Sequence, residues 1–289
     1  MTTTPAPAPA PAPRPAASRR ALIRTTVGAG AALAAGVVAA PQASAAERPG
    51  PRRSGGPRVG IVLYDGYSLL DPTGPAEVLS RLPGAEVTMV AARRGPVRTD
   101  TGDVRVMAER ALSEVDRLDV LVVPGAGNRG TVAAMNDRAL LDFIRRIHRT
   151  SRFTTSVCTG SLVLAAAGLL DGRQATTYWA SAPYLEATFD VTYRPERYVR
   201  SGRIVTAAGV SAGLDMSLYL ASLLADDTTA EAIQLALEYD PQPPFDAGDA
   251  AEADEQRKAL ALRLLEESQT GAGRGWEPGY ASARPVASP

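Results

Sequence analysis

The chain of 289 residues has very little of two reactive residue types: it holds one cysteine and one histidine. An internal disulfide is excluded, because a bridge needs a second cysteine. The usual soft-ligand metal sites are disfavoured, because they draw several ligands from Cys and His. The unpaired thiol is therefore either a small buried hydrophobe or a reactive group, and the count alone favours the first interpretation.

An excess of positive charge is also missing. The full sequence has 31 Lys and Arg against 31 Asp and Glu. The first 45 residues hold four of the arginines and no acidic residue, so the rest of the chain carries 27 basic against 31 acidic side chains. This balance provides no basic surface for nucleic acid or anionic lipid.

The first 45 residues lack the apolar periodicity of a folded domain. A Pro/Ala/Thr tract at 2–13 is followed by Arg19-Arg20 and by an Ala/Gly/Val-rich stretch that ends in Ala43-Ser44-Ala45. A basic start, a modest apolar stretch and a small-x-small cleavage pattern predict a twin-arginine-type signal peptide, and hence export. The alternative is a membrane anchor, but Gly, Thr and Pro41 dilute a stretch that would need about 20 strongly apolar residues.

The remaining chain reads as one α/β domain. Continuous apolar runs at 58–64, 119–123 and 153–157 are typical of buried parallel strands, and they alternate with helical patterns at 74–82, 131–149 and 161–170. This order predicts a mostly parallel sheet with helices on both faces. We predict four segments: a signal peptide at 1–45, a linker at 46–57, the domain at 58–248, and a charged helix with a disordered tail at 249–289.

Cys158 lies directly between a predicted strand and a predicted helix. That is the position of a nucleophile elbow, a sharp turn that presents a side chain above the sheet edge. Gly160 leaves room for such a turn, and the N–H groups of the following helix would favour thiolate over thiol. Cys158 could instead pack beneath the helix without reacting, but its position favours a nucleophile.

Other candidates also follow predicted strands, where α/β sheets bind ligands. Asp71 is placed ahead of a helix, where it can cap the helix or exchange a proton. Gly125 and Ala126 begin a loop whose N–H groups could hold negative charge, although such a Gly-rich turn is common in this fold class. His148 closes a basic helix, a place more typical of a solvated histidine than of a base.

These residues resemble the ThiJ/PfpI members of the class I glutamine amidotransferase-like superfamily, and among them the isonitrile hydratase branch. The resemblance runs from about Arg58 to Gly248. Its matching segments, in chain order, are Leu70-Asp71-x-Thr73-Gly74-Pro75, Val122-Val123-Pro124-Gly125, Val157-Cys158-Thr159-Gly160-Ser161, Ala175-Thr176-Thr177-x-Trp179 and Ala212-Gly213-x-Asp215.

The resemblance implies a flavodoxin-like three-layer sandwich that acts as a hydro-lyase without metal or cofactor. It implies that Cys158 attacks an isonitrile, that Asp71 supplies a proton, and that Thr159 positions water for hydrolysis to an N-substituted formamide. It further implies that the protein forms a homodimer and binds a small-molecule substrate. We expect no nucleic-acid partner, and no membrane anchor after cleavage of the signal. The expected oxyanion and substrate contacts are Gly125, Ala126, Gly160, Tyr178 and Trp179.

Three features bear on alternatives within the superfamily. Tyr178 stands where the branch usually has histidine, and a phenol cannot replace an imidazole base at neutral pH. Thr159 follows the cysteine where the protease, deglycase and glyoxalase members have histidine, and the acid is Asp71 rather than glutamate. An exported ligand-binding or thiol-sensing domain, related to the sensory half of AraC-type regulators, stays open. Residues 251–289 are too short for the DNA-binding region of those regulators.

Overall fold

The computed structural model describes residues 55–269. The predicted signal peptide at 1–45, most of the linker and the tail at 270–289 lie outside these residues. Within the described part, no helix is both long enough and apolar enough to cross a membrane.

Strands and helices alternate along most of the described chain. The strands are β1 (Arg58–Val62), β2 (Glu86–Ala91), β3 (Gly95–Arg98), β4 (Arg105–Ala108), β5 (Arg110–Ala111), β6 (Val120–Val123), β7 (Phe153–Val157), β8 (Arg173–Ala175), β9 (Val191–Tyr193), β10 (Tyr198–Ser201) and β11 (Ile204–Ala207). The helices are α1 (Leu70–Leu79), α2 (Asn128–Met135), α3 (Arg138–His148), α4 (Gly160–Ala166), α5 (Ala182–Thr188), α6 (Ala212–Leu224), α7 (Asp227–Ala236) and α8 (Glu255–Ser268).

A seven-stranded sheet forms the centre of the domain, in the order β10-β11-β7-β6-β1-β2-β5. Every neighbouring pair is parallel except β10 and β11, which are antiparallel at one edge. β3 and β4 form a separate hairpin, and β8 pairs with β9. The predicted flavodoxin-like fold with a mostly parallel sheet is confirmed.

Two apolar layers cover the two faces of the sheet, because successive side chains of a strand point to opposite sides. In β6, Leu121 and Val123 belong to one core cluster, which also contains side chains of α3 and α4. Val120 and Val122 belong to the other, together with side chains of α1 and α6. All four β6 residues are fully buried, which explains their continuous apolar run.

Several predicted boundaries were wrong. α1 begins at Leu70 rather than Gly74, so Asp71 lies in its first turn, and Pro75 is inside the helix rather than at its start. The single helix predicted over 131–149 is two helices, since the Asp137 side chain accepts a hydrogen bond of 3.1 Å from Leu140 N and starts α3 anew. α5 and β9 were not predicted.

The sheet order brings the candidate residues to one edge. β11, β7, β6 and β1 are consecutive parallel neighbours, so their carboxyl ends meet. After β1 the chain leads to Asp71 in α1, after β6 to Gly125, and after β7 to Cys158.

Candidate active site

Cys158 adopts the backbone conformation of a nucleophile elbow. Its φ is +56°, a left-handed value shared by one other non-glycine residue of the described chain, Glu238. This conformation costs about 1–2 kcal/mol for a residue with a Cβ. Hydrogen bonds hold the turn on both sides: Cys158 N donates to Ala208 O at 2.8 Å, and Thr177 Oγ1 donates to Cys158 O at 3.2 Å. The side chain is 95% buried in the apolar layer beside α6, with 5% of its surface exposed.

Gly160 makes the elbow sterically possible. A Cβ at this position would lie 2.2 Å from Val123 O and 2.7 Å from Pro124 O. Both atoms belong to backbone that cannot easily move, because β6 is paired on both sides. Gly160 therefore has a steric role, and its close approach brings the start of α4 against the loop that follows β6.

Asp71 is a fully buried carboxyl group. Its Oδ2 accepts a hydrogen bond of 2.7 Å from Gly125 N, and Oδ1 has no hydrogen-bond partner among the described residues. Burial raises the pKa of Asp71 to about 7; the Gly125 hydrogen bond opposes this shift and the negative charge of Asp100 adds to it. At neutral pH the carboxyl group can therefore both donate and accept a proton.

Asp71 and Cys158 both pack against Gly125. A Cβ built on this glycine would lie 2.8 Å from Asp71 Oδ2 and 2.8 Å from Cys158 Cβ. The carboxyl group and the cysteine thus flank the same small residue. The structure brings together the two residues that the sequence assigned to nucleophile and proton donor.

The Cys158 thiol is not activated by its surroundings. Burial is the largest cause that raises its pKa well above the usual value, and the charge of Asp71 raises it further. Hydrogen bonds from the backbone and side chain of Thr159 lower it, but they are outweighed. The sequence predicted that the following helix favours a thiolate, whereas burial and Asp71 raise the pKa of Cys158 and favour the thiol, so a nucleophilic role would need a base.

Tyr178 and Trp179 lie next to the elbow. The Tyr178 ring packs on the layer that contains Cys158, and its centroid is 5.5 Å from that of Trp179. Burial, followed by the charge that Cys158 carries when ionised, raises the pKa of Tyr178 to about 12. The phenol consequently stays protonated at neutral pH, so it can donate a hydrogen bond but cannot act as a base.

The sequence matches the model of one protein family, described as the DJ-1/PfpI family, over residues 57–223. The chain belongs to the DJ-1/PfpI family. It is 41% identical to the isonitrile hydratase of Pseudomonas putida over 212 residues, which cover 72% of this chain and 91% of that protein. It is also 30% identical to the HTH-type transcriptional regulator GlxA of Rhizobium meliloti (strain 1021), over 55% of this chain and 50% of the regulator.

A crystal structure supports the same family. A ThiJ/PfpI family protein from Pseudomonas syringae superposes with a TM-score of 0.69 at 35% identity. The match covers 76% of this chain and 91% of that one. The family therefore includes proteins named as an enzyme and as a regulator, so family membership alone does not choose between catalysis and regulation.

In this DJ-1/PfpI domain the loop after β6 has its N–H groups already engaged. Gly125 N donates to Asp71 Oδ2, and Ala126 N donates to Thr159 Oγ1 at 2.9 Å. Thr159 Oγ1 also lies 2.8 Å from Thr131 Oγ1. In the resting site these groups hold the acid and the loop in place. The geometry favours a positioning role for Thr159, Gly125 and Ala126 over the predicted contacts with water and an oxyanion.

Two residues of the DJ-1/PfpI site were missed from the sequence. Thr131 contacts Thr159, and Asp100 acts on both Asp71 and Cys158 through its charge. Neither residue belongs to a matching segment, and no local pattern identified them. His148, as expected, is not part of the site: its Nδ1 lies 2.9 Å from Oγ1 of Thr154, near the opposite end of β7. Among the described residues, no group of three or more His, Cys, Asp and Glu is arranged to hold a metal ion.

We expect Gly125→Ala to damage both the fold and the site. The added Cβ would meet Thr159 N at 2.7 Å and Asp71 Oδ2 at 2.8 Å, so backbone and acid must both shift. Overpacking of this kind costs about 1–3 kcal/mol. Urea unfolding should show the loss, with Gly248→Ala as the matched control, because no atom lies within 4 Å of a Cβ at Gly248. Equal stability of the two variants would contradict the close approach of Thr159 N and Asp71 Oδ2 to Gly125.

Proposed function

We propose that this protein hydrates isonitriles to N-substituted formamides. The observation that carries the proposal is the buried pair of Asp71 and Cys158, which both pack against Gly125. Support also comes from the 41% identity to a protein named isonitrile hydratase, over 91% of its length. An acid and a thiol suffice for this reaction, which needs neither a redox change nor a cofactor.

In the first step the thiol adds to the isonitrile. The terminal carbon of R–N≡C is electrophilic, and Cys158 sulfur bonds to it while the thiol proton leaves to the Asp71 carboxylate. Asp71 then delivers that proton to the same carbon, which gives the thioimidate R–N=CH–S–Cys158. Because the pKa of Asp71 is raised to about 7, both of its protonation states are populated near neutral pH, as this transfer requires.

In the second step water releases the product. Water adds to the thioimidate carbon with protonation of nitrogen, the carbon–sulfur bond breaks, and the formamide R–NH–CHO leaves. The sulfur recovers a proton, so the thiol and the carboxyl group return to their starting states. Tyr178 donates a hydrogen bond to the substrate nitrogen in this scheme, since its phenol is protonated and adjacent to the cysteine.

The place of reaction and the assembly are part of the proposal. The arginine pair Arg19-Arg20 and the Ala43-Ser44-Ala45 pattern support export through a twin-arginine-type signal. We further propose that the protein acts as a homodimer, which the sequence resemblance supports.

A direct assay tests the function. Purified protein is given cyclohexyl isocyanide, and N-cyclohexylformamide is followed by gas chromatography with mass detection. We expect turnover on the order of 1 s⁻¹ or faster, in the usual range for enzymes. An alkyl, a benzyl and an aryl isonitrile should be compared in parallel. Absence of any formamide with all three substrate types would contradict the proposed reaction.

A thiol-sensing role is the alternative, and the site disfavours it. Sensor cysteines are accessible thiolates of low pKa. Cys158 is 95% buried, with 5% of its surface exposed, and its pKa is raised. Slow oxidation of Cys158 by dilute peroxide, followed by intact-mass spectrometry, is therefore expected.

A further inference from the structure

A second carboxyl group, Asp100, lies next to the site without belonging to any motif. It is in the turn between β3 and β4, and its backbone N donates to Tyr67 O at 3.0 Å. Its Oδ2 accepts a hydrogen bond of 2.9 Å from Ser68 Oγ, and its Oδ1 accepts one of 2.9 Å from Thr101 N. These two donors fix the carboxyl group in one orientation.

Ser68 connects Asp100 to the acid of the site. Ser68 N donates to Gly125 O at 3.0 Å, and Ser68 O accepts from Asp71 N at 3.1 Å. Gly125 N in turn donates to Asp71 Oδ2 at 2.7 Å, which closes a ring of hydrogen bonds through Ser68, Asp71 and Gly125. Asp100 is attached to this ring by the Ser68 hydroxyl. Its position relative to Asp71 is therefore set by short contacts rather than by a flexible surface loop.

The charge of Asp100 reaches both reacting groups. It raises the pKa of Asp71 and that of Cys158, in each case in addition to burial. The other ionisable groups acting on this site are Cys158, after β7, Tyr178, whose pKa burial and the Cys158 charge raise, and Tyr67, whose pKa burial and the Asp100 charge raise. Cysteine and tyrosine side chains are neutral when protonated and negative when deprotonated, so none of these groups supplies positive charge. Asp100 therefore adds negative charge to a site where burial already disfavours the ionisation of Asp71.

We propose that Asp100 is a positioning residue of this site, whose carboxylate, held through Ser68, adds to burial in disfavouring the ionisation of Asp71. The inference rests on the proposed function, because it concerns the group that takes the thiol proton and returns it to carbon in the hydration. The direction follows from electrostatics: a fixed negative charge disfavours a second one nearby, so removing it lets Asp71 ionise at lower pH. Burial contributes more than Asp100 to the raised pKa of Asp71, so we expect the effect of Asp100 to be at most on the order of one pH unit.

The test compares wild type with Asp100→Asn, which keeps an acceptor oxygen for Ser68 but loses the charge. Carbon-13 NMR of labelled aspartate carboxyl groups follows the titration of Asp71, assigned by its absence in Asp71→Asn. We expect the Asp71 midpoint to fall by up to about one pH unit in Asp100→Asn. The acidic limb of the kcat/KM profile, which reports formation of the Asp71 carboxylate that takes the thiol proton, should move to lower pH by the same amount. Asp100→Glu, which restores the charge, should restore both midpoints toward wild type.

A merely structural role makes different predictions. It would lower the melting temperature of Asp100→Asn and leave the Asp71 midpoint unchanged, and an unchanged midpoint overturns the proposal. Asp100→Ser provides a second neutral variant if the asparagine protein does not fold. A shifted NMR midpoint in a protein that hydrates no isonitrile would support the role of Asp100 and contradict the proposed function, so the two failures are distinguishable.

Discussion

Cys158→Ala is expected to reduce isonitrile hydration at least about 1,000-fold, to the rate of the uncatalysed reaction. The sulfur forms the bond to the substrate carbon, and no other thiol exists in the chain to replace it. The change removes one buried sulfur atom and leaves the Cβ in place, so the fold should persist. Steady-state formamide production measures the loss, and intact-mass spectrometry of wild type with a slow substrate should show the thioimidate.

Cys158→Gly is the matched control, because it separates the sulfur from the backbone strain. Glycine adopts a φ of +56° without steric cost, whereas alanine retains the strain of the elbow. Both variants should be inactive. We expect the free energy of unfolding, measured in urea, to be about 1 kcal/mol higher for the glycine variant than for the alanine variant. Turnover near the wild-type rate in either variant would refute covalent catalysis through sulfur.

The nucleophile could be located from the sequence because its signals are local. The features that predict the elbow are adjacent in the sequence: a buried strand, a cysteine, a glycine two residues later and an apolar helix. Each feature predicts its own part of the turn. Gly160 belongs to this contiguous pattern, although the atom that it approaches, Val123 O, lies at the end of β6. The parallel sheet could also be predicted from local patterns, because continuous apolar strands that alternate with helices are compatible with few other folds.

The electrostatic state of the site could not be read from the sequence, because it is set by contacts between distant segments. The helix after Cys158 predicted a thiolate, but burial among residues of α6 and the nearby Asp71 reversed that expectation. Asp71 was placed correctly at the sheet edge, whereas its hydrogen bond with Gly125 spans 54 residues. Asp100 is connected to the site by its hydrogen bond with Ser68, and the sequence of neither segment predicts this contact.

Tyr178 remains the residue that most distinguishes this chain from the resemblance that its motifs suggest. The structure places it beside the cysteine and keeps its phenol protonated, since its pKa is raised to about 12. A histidine there could exchange a proton near neutral pH, but this tyrosine cannot. In the proposed reaction proton transfer therefore passes through Asp71, which increases the expected consequences of changing that residue.

Asp71→Asn is expected to abolish hydration and, at alkaline pH, to stabilise the protein. Asparagine keeps an oxygen that can accept from Gly125 N, but it cannot take the thiol proton or return it to carbon. The folded-state pKa of Asp71 is raised from 3.8 to about 7. Its stabilising contribution is thus complete below the unfolded-state pKa and is lost as the pH rises through 7. The asparagine side chain does not ionise and suffers no such loss.

The size of the stability change follows from the shift of about three pKa units. At about 1.36 kcal/mol per unit, the carboxylate destabilises the folded state at pH 8 by roughly 4 kcal/mol relative to pH 4. Urea unfolding of wild type and Asp71→Asn should therefore diverge between these pH values, with the variant gaining stability as the pH rises. Asp171→Asn, at an exposed position, is the control for a general effect of charge. A constant difference between the Asp71 variant and wild type across this range would show that Asp71 is ionised without cost. The proton donor in the proposed reaction would then have to be another group.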